Sequence, residues 1–388
     1  MCLSSKRFFA AVLLVTAVFV LMGEWLCYRV DPIGLWGTPI RAGFNNLKIQ
    51  QSLFMDIFKP YEYVRFLPDI VYIGTSRTNI GWDASTGPEA NAYNFAMSGL
   101  SLSSTESYLK FAYKVHKPKK VYLGLDIYSF NYKNYHQLGD NARPSFSLER
   151  LEAISDGGIF SRMYAWKDSL AMMKEVLPTM ERSRKDPEHP ELSVRGWFRE
   201  HGGAPAVSVE SYYGIFNLTN RETKEFTSFH YEPEAMDCLG RILAEAEGNG
   251  VEIVLFFHPV SVDEHTMLYL GGQEPLLDEI KRETAQMHPV YDFDCPSAWT
   301  MDIQGNYFDF VHYRKPLGDA VRNALYSGEV DGMAHLLTKD NAQESIREEQ
   351  AAYAAWREEN RERVDALRFY FETKEKAEPG AFKEFIGF

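Results

Sequence analysis

The chain is short of positive charge: 41 Lys and Arg stand against 54 Asp and Glu, a formal net charge of −13 with a pI near 5.3. The body carries no cluster of Lys or Arg. Duplex nucleic acid is therefore excluded as the principal partner, because binding phosphates needs a basic surface. Cysteine is scarce as well. Cys2, Cys27, Cys238 and Cys295 are the only four, and their spacing matches no structural zinc site. Cys238 and Cys295 either pair in an oxidising compartment or stay free and buried. Internal repeats and low-complexity tracts are missing, which excludes a repeat array. No broad apolar lid segment appears in the body, which counts against a soluble lipase-like esterase. What is abundant is core material: 45% of residues are hydrophobic and 14% aromatic, so the chain is not disordered.

There is one long apolar run. Lys6 and Arg7 precede an uncharged stretch from Phe8 to Met22, and Glu24 then interrupts before Trp25-Leu26-Cys27-Tyr28. Counted through Tyr28, the segment approaches the roughly 20 residues that cross a bilayer. A signal-peptide core has similar length, but no small-x-small cleavage site follows. Glu24-Trp25-Leu26-Cys27 also lacks the small residues of a lipoprotein cleavage site. Residues 1–30 are thus expected to be an uncleaved anchor. Its basic side faces the cytoplasm and the body is exported.

Beyond the Asp31-Pro32-Ile33-Gly34 turn, helical spacing is expected over 46–58. Strands follow at 70–74, 92–96 and 120–127, with a helix between the last two that Ser103 or Ser104 caps and Pro118 stops. The 120–127 run is hydrophobic almost throughout, as in a strand covered on both faces. Alternation fails from about 131 to 230, which reads as an insertion with helix at 160–184. It returns with helices at 233–247, 275–287 and 318–326 and strands at 251–257 and 290–293. Such βαβ repetition predicts a three-layer α/β/α sandwich on a mostly parallel sheet. The expected domains are the anchor, an α/β body over 31–335 carrying the insertion, and a charged extension over 336–388. Within that extension, 340–372 reads as one long helix, either packed back on the body or serving as a partner-binding arm.

The chemistry sits at two places. Val71-Tyr72-Ile73-Gly74-Thr75-Ser76-Arg77 is an apolar strand running into a Gly-x-Ser turn, and Asp309-x-x-His312 stands just before the last regular helix. Either alone is commonplace. Their order, at the end of the first strand and before the last helix, suits a nucleophile, a base and an orienting acid converging on one sheet edge. His258 ends a later strand on the same edge and either lines the pocket or is an ordinary loop histidine. His230 with Tyr212, Tyr213 and Phe229 forms either a sugar platform or core packing.

Gly74-Thr75-Ser76-Arg77, Asn94-x-Ala96-x-x-Gly99 and Asp309-x-x-His312 resemble the SGNH (GDSL-type) hydrolase superfamily. Tyr307-Phe308-Asp309-Phe310-Val311-His312-Tyr313 followed by Gly318, and Asp31-Pro32 after an N-terminal anchor, resemble its membrane-anchored bacterial branch of polysaccharide and cell-wall O-acylation proteins. The similarity covers about 68–130 and 233–327. It implies Ser76 as nucleophile, His312 as base and Asp309 as the residue orienting it. It also implies the Ser76 and Gly99 N–H groups as oxyanion donors. One departure stands out. The superfamily usually supplies an asparagine after the third strand, where this chain has Asp126. Asp126 then binds substrate or holds Arg77, Arg77 pins the loop or contacts substrate, and Asn94 or Asn131 replaces the missing amide.

The resemblance implies acyl transfer, of acetyl above all, to or from hydroxyls of an extracytoplasmic glycan. The chain would sit in the bacterial cytoplasmic membrane with its body outside, beside a multispanning acyl-carrier protein. This chemistry needs no cofactor or metal. The alternative is a non-catalytic assembly or glycan-binding factor of envelope polysaccharide synthesis that keeps the fold.

Overall fold

The apolar runs read as strands lie side by side in a computed structural model, which describes residues 5–132, 135, 147–198, 229–307, 309, 311–330 and 332–373. The principal elements begin with α1 (Ser5–Val30), α2 (Met55–Phe66), β1 (Ile70–Ile73), α3 (Ser76–Gly81), β2 (Ala92–Asn94), α4 (Leu102–Val115) and β3 (Lys120–Leu125). Three helices follow: α5 (Leu148–Asp156), α6 (Gly158–Ala171) and α7 (Val176–Lys185). The chain continues with α8 (Pro233–Asn249), β4 (Glu252–Phe257), α9 (Val262–Leu270), α10 (Glu274–Met287) and β5 (Val290–Asp292). It ends in α11 (Lys315–Ser327), β6 (His335–Leu337), α12 (Ala342–Glu359) and α13 (Arg361–Thr373).

Two compact units result, residues 1–67 with 145–193, and residues 68–144 with 194–388. The first is helical. Arg7–Val30 is, among the described residues, the one helix long and apolar enough to cross a membrane. Its residues from Arg7 to Met22 are exposed or nearly so, whereas Glu24, Cys27 and Val30 are buried. Cys27 and Val30 form a small core with Val176, against which Leu26, Phe44 and Met180 pack. Asp31 turns the chain out of the helix. Its buried carboxylate accepts the Trp36 and Thr38 N–H groups, both at 3.1 Å, and pairs with Lys48 at 3.5 Å. The anchor expected to end at residue 30 is therefore also, in its last two turns, part of a folded core. Residues 31–67 and 145–193, expected within the α/β body, belong to this unit instead.

The second unit is mixed α/β. Its sheet has the order β2-β1-β3-β4-β5-β6. The first five strands run parallel and β6 is antiparallel to β5. Central strands β1 and β3 are buried almost throughout, consistent with their unbroken apolar sequences. Aromatics fill the interior: Trp82 stacks on Phe256 at 4.7 Å, and the Tyr72 and Tyr122 hydroxyls donate to the buried Glu89 at 2.6 and 2.5 Å. Cys238 and Cys295 are buried and free.

Several local expectations need correction. Ser101 caps α4, its hydroxyl accepting from the Ser104 N–H at 3.2 Å. The expected helix at 46–58 is a short 3-10 turn, Ile49–Ser52, followed by α2. The 340–372 helix is two helices broken at Asn360. Both pack back on the body: Arg357 pairs with Glu274 at 2.9 Å, and Arg363 with Asp263 at 2.7 Å. The expected 160–184 helix breaks at Met172, where a 3-10 turn, Met173–Glu175, separates α6 from α7. Much of the remaining 131–230 segment, Tyr212 and Tyr213 included, lies outside the described residues.

Candidate active site

β1 delivers Ser76. Gly74 and Thr75 follow the strand, Thr75 caps α3, and Ser76 is the helix's first residue, half-buried at the C-terminal edge of the sheet. That edge, beyond the carboxyl ends of parallel strands, is where open α/β sheets place ligands. Gly74 is required sterically, since a Cβ there would press on the Thr78 hydroxyl and the Gly124 carbonyl.

His312 arrives from the loop before α11. Its Nε2 lies 2.7 Å from Ser76 Oγ, and its Nδ1 lies 2.7 and 2.9 Å from the two Asp309 oxygens. Asp309 Oδ1 also accepts the Val311 and His312 N–H groups at 2.8 and 2.7 Å, fixing the carboxylate in a tight turn. With Nδ1–H donating to Asp309, Nε2 is left to accept the Ser76 proton. Burial works against a charged imidazole here, but the Asp309 carboxylate outweighs it and raises the His312 pKa above its ordinary value. Burial likewise opposes Asp309 ionisation and is overcome by His312 and the two N–H groups, so the Asp309 pKa is lowered. The His312 side chain keeps 23% of its surface exposed, so the pair is open to a ligand.

A tight helix contact brings these parts together. A side chain at Gly318 of α11 would collide with the Gly81 carbonyl of α3, and one at Gly81 would collide with the Tyr313 ring. Two glycines thus let the helix after the histidine touch the helix that begins with the serine. Below them runs a buried polar chain. Trp82 Nε1–H donates to the Tyr313 hydroxyl at 2.9 Å. That hydroxyl is left to donate to His258 Nδ1 at 2.9 Å, and His258 Nε2–H then donates to Thr78 Oγ1 at 3.2 Å. Burial lowers the His258 pKa to about 4, against the pull of Asp126, so the ring is neutral. His258, just past the end of β4, is not a solvated loop histidine; it is a buried strut under the serine.

Of the residues offered as oxyanion donors or substrate contacts, Asn94 is committed elsewhere, whereas Arg77 and Asp126 take the other role expected of them, a carboxylate holding the loop around Ser76. Asn94 donates both amide hydrogens to the Thr78 and Trp82 carbonyls, at 2.8 Å each, and accepts from the Ala96 N–H. It closes the end of α3. Arg77 is buried and pairs with Asp126 at 3.0 Å and with both Glu264 oxygens at 2.5 and 2.7 Å. Asp126 also accepts the Thr75 hydroxyl. One carboxylate therefore holds both neighbours of Ser76. Burial raises the Asp126 pKa, but Arg77 prevails and lowers it; an ionised carboxylate has no proton to give an oxyanion. Burial raises Glu264 to about 7 despite Arg77.

Gly99 remains a candidate. Its φ is +62°, and the Met97 N–H in the same turn donates to the Gly74 carbonyl at 3.1 Å, two residues before Ser76. The Asn131 backbone forms an antiparallel bridge with Tyr231. Thr75, Thr78, Glu264 and Tyr313 were not anticipated as supports of the site. Tyr313 had a signal in adjoining His312, whereas Glu264 lies 187 residues from Arg77.

Among the described residues one group offers metal-type ligands, His265, Asp294 and Glu349, with ligand atoms within 4.8 Å of one another. The Lys281 ammonium lies 3.3 Å from Asp294 and 2.5 Å from Glu349 and supplies the positive charge there. Compared with known proteins, the chain matches no family model and no curated sequence.

Proposed function

We propose that this chain is a membrane-anchored, serine-dependent acyl-transfer enzyme of the SGNH type, with its mixed α/β unit arranged as a three-layer sandwich outside the cytoplasm. The observation that carries this reading is the continuous Ser76–His312–Asp309 hydrogen-bond chain, with contacts of 2.7 Å on each side of the imidazole. A hydroxyl is a weak nucleophile until a neighbouring base takes its proton. Ser76 Oγ would attack the carbonyl carbon of an acyl ester as His312 Nε2 accepts the hydroxyl proton. The Ser76 and Gly99 N–H groups would receive the developing oxyanion. Collapse would expel the donor alkoxide, which takes the proton from His312 and leaves an ester on Ser76. A sugar hydroxyl, activated by the same imidazole, would then take the acyl group and restore the serine. Water would do so in an esterase. Acetyl on a glycan hydroxyl is the favoured substrate, with a multispanning membrane protein as acyl supplier.

A second reading, a non-catalytic glycan-binding or assembly factor, draws on the Arg77–Asp126 pair standing where the superfamily carries an amide donor. The two are separated by following acetyl release from an aryl acetate, with and without an oligosaccharide acceptor. The full chain in detergent is used, because Cys27 and Val30 belong to the core of the first unit. Turnover lost in Ser76→Ala, with acetylated sugar in the product, supports the transferase. Equal background from both proteins supports the assembly factor.

A further inference from the structure

The first unit exposes apolar surface outside α1. Ile159, Met163, Trp166, Leu170, Met173 and Leu177 recur at alternating intervals of four and three residues, along α6, the following 3-10 turn and the start of α7. Within α6 that interval puts Ile159, Met163, Trp166 and Leu170 on one helix face, and Met173 in the turn and Leu177 in α7 are exposed beyond it. The face is bare: Ile159 is 70% exposed, Met163 59% and Leu177 72%, and Phe160 at its edge is 66% exposed. The opposite face of the same helices, with Ala165, Asp168, Ser169, Met172 and Val176, is buried. An amphipathic helix normally turns its apolar side inward; here a second apolar side looks out.

Its neighbour identifies the occupant. α6, the 3-10 turn and α7 all pack against α1. Met173 sits directly on Gly23, where any side chain would overlap it. The stripe is therefore continuous with the exposed apolar surface of the helix that would cross the bilayer. Its borders suit a headgroup region. On helical spacing Arg162 flanks the stripe on one side and Lys167 and Lys174 on the other, and all three are exposed. Trp25 and Tyr28 of α1 are 60% and 49% exposed, and Trp166 44%, as aromatic residues are at a membrane interface. Cations beside a stripe of Trp, Leu and Ile are the composition of helices that lie in that interface.

We propose that the α6–α7 face is a second membrane contact, seated in the lipid surface beside α1 and favouring anionic headgroups. This rests on the reading of α1 as a membrane span. Two contacts would fix the orientation of the first unit on the bilayer, which a lone helix leaves free to rotate.

The test uses the full chain carrying Cys2→Ser, since Cys27, Cys238 and Cys295 are buried. Single cysteines at Met163→Cys and Leu170→Cys receive an environment-sensitive nitrobenzoxadiazole label. Leu14→Cys in α1 serves as the lipid reference and the exposed Glu188→Cys as the aqueous one. Each protein is reconstituted alone into phosphatidylethanolamine–phosphatidylglycerol vesicles and quenched with doxyl lipid or with iodide. The expected result is that 163 and 170 follow 14: quenched by doxyl lipid, blue-shifted and protected from iodide, with blue shift and protection reduced when phosphatidylcholine replaces phosphatidylglycerol. Iodide quenching at 163 and 170 with 14 still in lipid overturns the second contact and leaves the anchor intact. Iodide quenching at 14 as well overturns the anchor. Protection of 163 and 170 from both quenchers, or only in native membranes, also overturns the proposal and assigns the face to a second copy or a partner protein.

Discussion

Two histidines of the mixed α/β unit lie beside aspartates, and the structure makes opposite use of them. His312 has both ring nitrogens engaged, one by Asp309 and one by Ser76, and part of its ring meets solvent. His265, beside Asp294, is 2% exposed and stacked on Tyr353 at 3.4 Å with an interplanar angle of 6°. Burial lowers its pKa to about 3 although Asp294 opposes this, so it carries no charge. The acids around it serve Lys281, which is fully buried and lies 2.9 Å from Asp292, 3.3 Å from Asp294 and 2.5 Å from Glu349. That ammonium joins α10 to the end of β5 and to α12, clamping the C-terminal helices on the sheet. On the proposed function, a histidine–carboxylate pair becomes a reactive site when its free nitrogen reaches a serine hydroxyl at the sheet edge. Closed over and supplied with a lysine, the same residue types become a joint.

The sharpest way to break that contrast is mutation at each centre. His312→Ala should lower kcat by roughly 10⁴- to 10⁶-fold with a smaller loss of thermal stability than Lys281→Met, and Asp309→Asn should lower kcat by about 10⁴-fold. Lys281→Met should do the reverse. It strands three buried carboxylates and should cost about 3–5 kcal/mol, read as a lower Tm, with kcat of the folded fraction retained. Strong loss of activity without loss of stability in Lys281→Met would make the cluster part of the catalytic apparatus.

The pH profile sharpens the comparison further. The base must be neutral to take the serine proton, and Asp309 raises its pKa, so kcat/KM should climb with pH through a midpoint above the ordinary imidazole value. In Asp309→Asn the residual activity should have a lower midpoint, because the carboxylate no longer favours the charged ring. For stability the sign is opposite: the His312–Asp309 attraction is fully present below the unfolded imidazole pKa and is lost as pH rises through the folded one. His265 should leave no trace in the activity profile over that range. The smallest effect is expected from His265→Phe, which keeps a flat ring on Tyr353 and should change stability by less than about 1.5 kcal/mol, measured by thermal unfolding.

How legible the site was depended on distance along the chain. Ser76 and Asp309-x-x-His312 announce themselves because a strand-to-turn serine and an i, i+3 pair are local patterns. The supports under them are not local. Arg77 meets Glu264 across 187 residues and Thr78 meets His258 across 180, and no motif encodes either contact. Asn94 misled for a related reason: the sequence displays an amide but not the Thr78 and Trp82 carbonyls that consume it. Sheet strands were legible to within a few residues where both faces are buried, as in β3. The three-residue β6 was missed because His335-Leu336-Leu337 has too little pattern to stand out. The break at Asn360 was missed because the surrounding Glu, Arg and Ala all favour helix.

The most direct test of the central claim is fluorophosphonate labelling of the full chain in detergent, with the adduct located by peptide mass spectrometry. An activated serine predicts one adduct, on Ser76, formed faster as pH rises through the His312 midpoint and abolished in folded His312→Ala. No adduct on Ser76, or one whose rate ignores the loss of His312, would contradict it.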